Sequence, residues 1–177
     1  MSATTTDQVR HDASQGPRIL SPTEGAAVTL QTIGVRFMIP GVDTDTHFSL
    51  VEHPMPPRGL AAPLHRHNRE DEYSFILEGR MGALLGDDVV EAGPGDLVYK
   101  PRGQWHTFWN AGDAPCRILE IISPGGFEHV FEEMAEDPES MSGEGASALD
   151  ARYGIEADYD SIERLCEEHG LIFPIEE

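Results

Sequence analysis

Three histidines and a glutamate offer the most chemistry in this sequence. His65 and His67 are two residues apart. On a strand, residues i and i+2 face the same way, so both imidazoles can point into one cavity. Glu72 opens the next apolar run, in which Glu72, Ser74 and Ile76 share one face and Tyr73, Phe75 and Leu77 the other. His106 begins a separate β-like segment whose alternation groups His106, Phe108 and Asn110. Three neutral imidazoles and one carboxylate suit one divalent transition metal: Fe, Mn, Ni, Cu, Co or Zn. Ca and Mg prefer harder oxygen donors. Glu70 and Asp71 are rival carboxylates beside Glu72.

Other side chains are weaker candidates. His47, Ser49, Val51 and His53 share a strand face, with Phe48, Leu50 and Glu52 on the other. A surface position is the expectation for Glu52 and His53, with a cavity acid or base as the alternative. Lys100, the only lysine, shares a face with Val98. It is placed either at a cavity mouth or in a surface ion pair. Trp105, Trp109, Phe75 and Phe108 offer aromatic surface for a substrate wall, although core packing suits at least two of them. His129 and His169 are expected at the surface. Cys116, expected in a loop, and Cys166, on a helix stripe, are read as packing residues.

The elements that must position these groups are mostly strands. From Ala26 to about Ile122, short runs rich in Val, Ile, Leu and aromatics alternate with Gly, Pro and Asp. The expected strands are Val28–Ile33, Val35–Ile39, Thr46–His53, Glu72–Glu78, Met81–Leu85, Val89–Glu91, Asp96–Lys100, His106–Asn110 and Arg117–Ile122, with the His65–His67 pair on a further one. Gly79 marks one turn and Gly86-Asp87-Asp88 a hairpin. So many short strands predict a sandwich or barrel. Helical spacing then appears over Phe127–Glu136, followed by a loop at Pro138–Gly145. A helix over Asp160–Gly170 has a capping-box-like Asp160/Glu163 pair, a stripe of Ile162, Leu165 and Cys166, and a closing Gly170.

With 177 residues, the chain has room for one domain and appended elements. Thirty-two acids against twelve bases give a formal net charge of -20, which argues against nucleic acid or an anionic membrane as partner. Half of those acids lie in residues 128–177, with only two bases. No run reaches the eighteen apolar residues of a membrane helix. Residues 1–18 are polar, without an apolar leader region, and are expected to form a flexible tail. Two cysteines are too few for a disulfide scaffold, so a cytoplasmic setting is expected.

Two blocks of spacing sharpen this reading. Gly59-x5-His65-x-His67-x4-Glu72-x6-Gly79 is followed, fifteen residues later, by Gly95-x5-Pro101-x-Gly103-x2-His106-x3-Asn110. These blocks resemble the two signature motifs of the cupin superfamily at all ten fixed positions. The resemblance implies an all-β, antiparallel jelly-roll β-barrel over residues 19–126, with an acidic C-terminal helical extension over 127–177. It implies a metal held by His65, His67, Glu72 and His106, with open positions for water, O2 or substrate. Glu72 is preferred over Glu70 and Asp71, which are expected at the solvated rim, because it stands six residues before Gly79; it is also the expected catalytic carboxylate. The single-domain pattern resembles quercetinase-like members. That implies a metal-dependent dioxygenase (an oxidoreductase) acting on a small aromatic or enol-type molecule. A non-redox isomerase, cyclase or decarboxylase is the alternative, as is a non-catalytic small-molecule binder. Members of the family pair as homodimers through edge strands, for which the Val28–Ile39 region is the expected contributor.

Overall fold

The computed structural model describes residues 16–174. The expected N-terminal tail lies outside the described residues as far as position 15.

Alternation builds two antiparallel sheets. The first has the order β1 (Ala27–Leu30), β2 (Ile33–Ile39), β3 (Ser49–Met55), β10 (Cys116–Ser123), β5 (Asp71–Glu78), β8 (Leu97–Lys100). The second has the order β11 (Ile155–Asp158), β4 (Leu64–His67), β9 (His106–Asn110), β6 (Met81–Leu85), β7 (Asp88–Ala92). This is the expected jelly-roll β-barrel. On β5 the even residues Glu72, Ser74 and Ile76 are buried while Phe75 and Leu77 are each 37% exposed, as a one-sided strand requires. Val35, Val51, Ile76, Met81, Phe108 and Ile118 belong to the apolar cluster between the sheets. Burial of such side chains stabilises by about 25 cal/mol per Å² of apolar surface.

Several boundaries differ from expectation. The run Val28–Ile33 is two strands, because Gln31 takes positive φ (52°) and turns the chain before β2. Cys116 lies on β10, fully buried, not in a loop. Its neighbour Gly79 (φ 81°) turns tightly against it: an added Cβ would stand 2.7 Å from the Cys116 Cα.

The C-terminal extension is more structured than the sequence suggests. Helix α1 (His129–Glu136) begins two residues later than expected. The expected loop at Pro138–Gly145 is a 3-10 turn (Pro138–Met141) and the first residues of an unforeseen helix, α2 (Gly143–Tyr153). Gly143 and Gly145 in its first turn weaken the helical signal. Strand β11 was also unforeseen. It pairs with β4, with Ile155 opposite His67 and Ala157 opposite His65. Helix α3 (Ser161–His169) follows the expected bounds and closes at Gly170 (φ 63°). Asp160 occupies its cap position, yet its side chain makes no capping bond.

The extension both covers the outside of the barrel and walls the cavity. Leu165 of α3 joins Leu60, Leu84 and Trp109 in a second apolar cluster outside the β6–β9 pair. Phe127 and Val130 join the barrel cluster, with Phe131 and Met134 packed against it. Buried Glu128 anchors the entry to α1, accepting the amides of Gly41 and Gly126 at 2.6 Å each. No helix among the described residues is long and apolar enough to cross a membrane.

Candidate metal centre

Strands β4 and β9 bring the three histidines together. His65 and His106 are register partners, and His67 lies two residues along the same face. The ring centroids are 4.5 Å apart for His65–His106, 4.9 Å for His65–His67 and 5.4 Å for His67–His106. One nitrogen from each ring lies within 4.8 Å of the others, and all three residues are buried.

Backbone carbonyls orient two of the rings. His65 Nδ1–H donates to the Pro63 carbonyl at 2.8 Å, and His106 Nδ1–H to the Gln104 carbonyl at 2.9 Å. A carbonyl only accepts, so each Nδ1 carries the proton and each Nε2 keeps a lone pair. Such partners fix a ligating imidazole's tautomer. Burial lowers His65 well below its ordinary pKa, with His106 and His67 adding to it. Burial likewise lowers His67 to about 4, against the pull of Glu72. Both rings are therefore neutral donors at pH 7. His106 Nε2 and both ring nitrogens of His67 are buried without a hydrogen-bond partner, an expensive state unless something binds them. This set of residues fits a divalent transition metal.

Glu72 stands beside the trio. Its Oε2 is 3.2 Å from His106 Nε2, and its Oε1 is 3.4 Å from His67 Nε2. Lys100 shares that carboxylate: Nζ is 2.8 Å from Glu72 Oε2, 3.2 Å from Glu120 Oε1 and 4.4 Å from the Phe108 ring centroid. Ser74 Oγ donates to Glu120 Oε2 at 2.6 Å. Burial opposes the charge on Lys100, but Glu120 and Glu72 outweigh it and hold the ammonium above its ordinary pKa. Burial also opposes the charge on Glu72, and Lys100 and His67 reverse that, holding it well below the carboxylate range. Glu120 gains less from Lys100 and is pushed up to about 7 by burial.

Several expectations need correction. Lys100 is 1% exposed, so it lies neither in a surface pair nor at a mouth. Its face of β8 looks inward. Glu70 is buried, with Oε2 3.9 Å from His67 Nδ1, and burial raises its pKa; it does not lie at a solvated rim. Asp71 is bound to Arg102 through the backbone amide at 2.8 Å and the guanidinium at 2.8 and 3.1 Å, which turns it from the histidines. His53 is 2% exposed and lines the cavity above the trio, because the Val51–His53–Met55 face of β3 is the inner one. Glu52, on the opposite face, is nevertheless buried between Arg36 and Arg117.

The cavity measures about 710 Å³ and reaches from His65, His67 and Glu72 to the helical extension. Phe108, Phe127, Phe131 and Met134 supply apolar wall. Of the four aromatics singled out in the sequence, only Phe108 lines it. Trp105 lies beneath Arg66, Trp109 stacks against His169 at 4.6 Å, and Phe75 faces outward. Sequence reasoning did not find Glu120 or the helical wall. A polar residue alternating with Ile118 and Ile122 was the available signal for Glu120.

A cupin domain family matches residues 52–122. The polyketide cyclase RemF from Streptomyces resistomycificus is 30% identical, with a TM-score of 0.52; the match covers 61% of this chain and 80% of that one. This chain belongs to the cupin superfamily. The tetracenomycin polyketide synthase protein TcmJ of Streptomyces glaucescens is 29% identical to the cupin over 66 residues, 37% of this chain and 44% of that protein. The oxidoreductase iacF of Pestalotiopsis fici is 37% identical over 67 residues, 37% of this chain and 32% of that one. The matches span about a third to a half of the curated relatives' lengths.

Proposed function

We propose that this cupin is a metal-dependent enzyme that enolises or cyclises a small aromatic, polyketide-like molecule by proton transfer. The observation that carries the reading is the convergence of three buried imidazoles beside a cavity of about 710 Å³ with aromatic walls. His65, His67 and His106 would hold the ion, with Glu72 as fourth donor. A bound metal would supply Lewis acidity toward a substrate oxygen. The chain's own residues do the remainder. Phe108, Phe127 and Phe131 receive the aryl body and exclude water. Lys100 keeps Glu72 ionised beside the histidines. Similarity to RemF and TcmJ supports a polyketide-like substrate. The expected homodimer and cytoplasmic setting belong to the same proposal; β1, an edge strand of the first sheet, supports pairing there.

A second reading, the dioxygenase that the motifs imply, is favoured by the similarity to iacF. One experiment separates the two. Metal analysis of untagged protein, with His106→Ala as control, is followed by product analysis with aromatic diketones and flavonols, with and without O2. Near-stoichiometric metal, lost in the variant, with turnover independent of O2 is the expected result. O2 consumption coupled to turnover would replace the cyclase reading with the dioxygenase. Absence of metal after reconstitution would overturn both.

A further inference from the structure

His53 enters the cavity from the sheet facing the metal histidines and has no part in the centre described above. It stands on β3 of the first sheet, whereas His65, His67 and His106 stand on β4 and β9 of the second. Its Nδ1 lies 3.0 Å from the Gly34 carbonyl on β2. That oxygen only accepts, so Nδ1 carries the ring proton and Nε2 is left with a lone pair. The backbone that fixes it has little freedom: a Cβ on Gly34 would stand 2.6 Å from Pro54 Cγ. The ring is packed against Phe108, centroids 6.1 Å apart, and Phe131 at 5.5 Å. A buried imidazole with one nitrogen saturated and the other able only to accept, set between aromatic rings at a cavity wall, is suited to receiving an acidic O–H on an aryl group.

We propose that His53 is a ligand-contacting hydrogen-bond acceptor, and that the cavity selects molecules carrying a phenol or enol hydroxyl on an aromatic body. This deepens the polyketide-like reading above, yet the contact does not require a metal. On binding, the ligand O–H donates to Nε2. The ligand keeps its proton: burial holds the His53 ring neutral, so Nε2 takes the O–H as a hydrogen bond and no bond is broken.

The test compares 2-naphthol with 2-methoxynaphthalene, which differ at the hydroxyl, by fluorescence titration of the full chain. Both metal-loaded and chelator-treated protein are used. His53→Asn places an amide N–H where Nδ1–H stood and so retains a donor to Gly34, while removing the acceptor at Nε2. Wild type is expected to prefer the naphthol at least tenfold, and H53N to bring the ratio within twofold with the ether's affinity unchanged. Nitrogen-15 NMR of labelled histidine provides a second readout: His53 should show the Nδ1–H tautomer, with its Nε2 signal shifting when the naphthol is added. Absence of a naphthol preference in wild type, a preference that survives H53N, or an Nε2–H tautomer would each overturn the proposal. If the metal reading alone fails, the preference remains in chelator-treated protein and still disappears in H53N. If His53 alone fails, the ion still loads and the two ligands bind alike.

Discussion

Replacing Lys100 with methionine keeps most of the side-chain volume and removes the ammonium that Glu72 and Glu120 share at 2.8 and 3.2 Å. Breaking a buried ion pair from one side costs about 3–5 kcal/mol, because a charge is left uncompensated. Two carboxylates surround Lys100, but their costs do not add. Burial already pushes Glu120 up to about 7, so it takes up a proton near neutrality at little cost. Glu72, held well below the carboxylate range chiefly by Lys100, is the charge left stranded. The expected loss for K100M is therefore that of one charge, about 3–5 kcal/mol. Urea unfolding at pH 7 in chelator, followed by tryptophan fluorescence, reads this as a midpoint shift of about 1.5–2.5 M, at a slope of about 2 kcal/mol per M. The carboxylates should separate in the double variants. Adding Glu72→Gln should recover at least ~2 kcal/mol, whereas adding Glu120→Gln should change stability by less than ~1 kcal/mol. A loss below ~1 kcal/mol for K100M, or equal recovery by the two glutamines, would refute the reasoning.

His53 should shape the acid limb of stability. Burial lowers its pKa from 6.5 to about 4; the Gly34 carbonyl, Glu72 and Glu52 oppose that shift, and Lys100 adds to it. A histidine depressed in the folded state contributes stability above pH 6.5 that is lost as pH falls through about 4. The contribution is about 3 kcal/mol. Urea midpoints for H53N should therefore change less between pH 6.5 and 4 than those of wild type. Gly82→Ala puts a Cβ into the Trp109 indole and should lower stability by about 1–3 kcal/mol in thermal melts. Glu128→Gln can no longer accept both the Gly41 and Gly126 amides, so it should cost about 1–3 kcal/mol. Faster hydrogen exchange at those two amides is the local check.

The barrel and its three histidines were legible because their signals are local. Alternation on β5 placed Glu72, Ser74 and Ile76 inward, and the two spaced blocks set His65, His67 and His106 on strands that meet. Gly79, Gly95 and Gly103 take the positive φ that their places in the turns demand. The Asn110 side chain ties the backbone at Met55, Pro56, Ala114 and Gly112, as its turn position suggested. Which face of a strand looks inward is harder to read when both carry polar residues. His53 and Glu52 are adjacent and both buried, one toward the cavity and one between arginines. Lys100 was misplaced because its partners, Glu72 and Glu120, lie on β5 and β10. β11 has only four residues, Ile-Glu-Ala-Asp, and its pairing partner is some ninety positions earlier.

That distant pairing has a kinetic consequence. In a chain synthesised from its N-terminus, β4 exists long before residues 155–158 have been made. Until they arrive, one side of the strand carrying His65 and His67 presents unpaired N–H and C=O groups, a template for the wrong neighbour. Pairings of such large sequence separation close slowly, since the loop entropy must be lost before the contacts form. The barrel can condense on its earlier strands while the segment bearing two of the three imidazoles still lacks its last neighbour. Final assembly of the centre is thereby tied to the end of the folding sequence, and metal capture should lag behind the appearance of β structure in refolding.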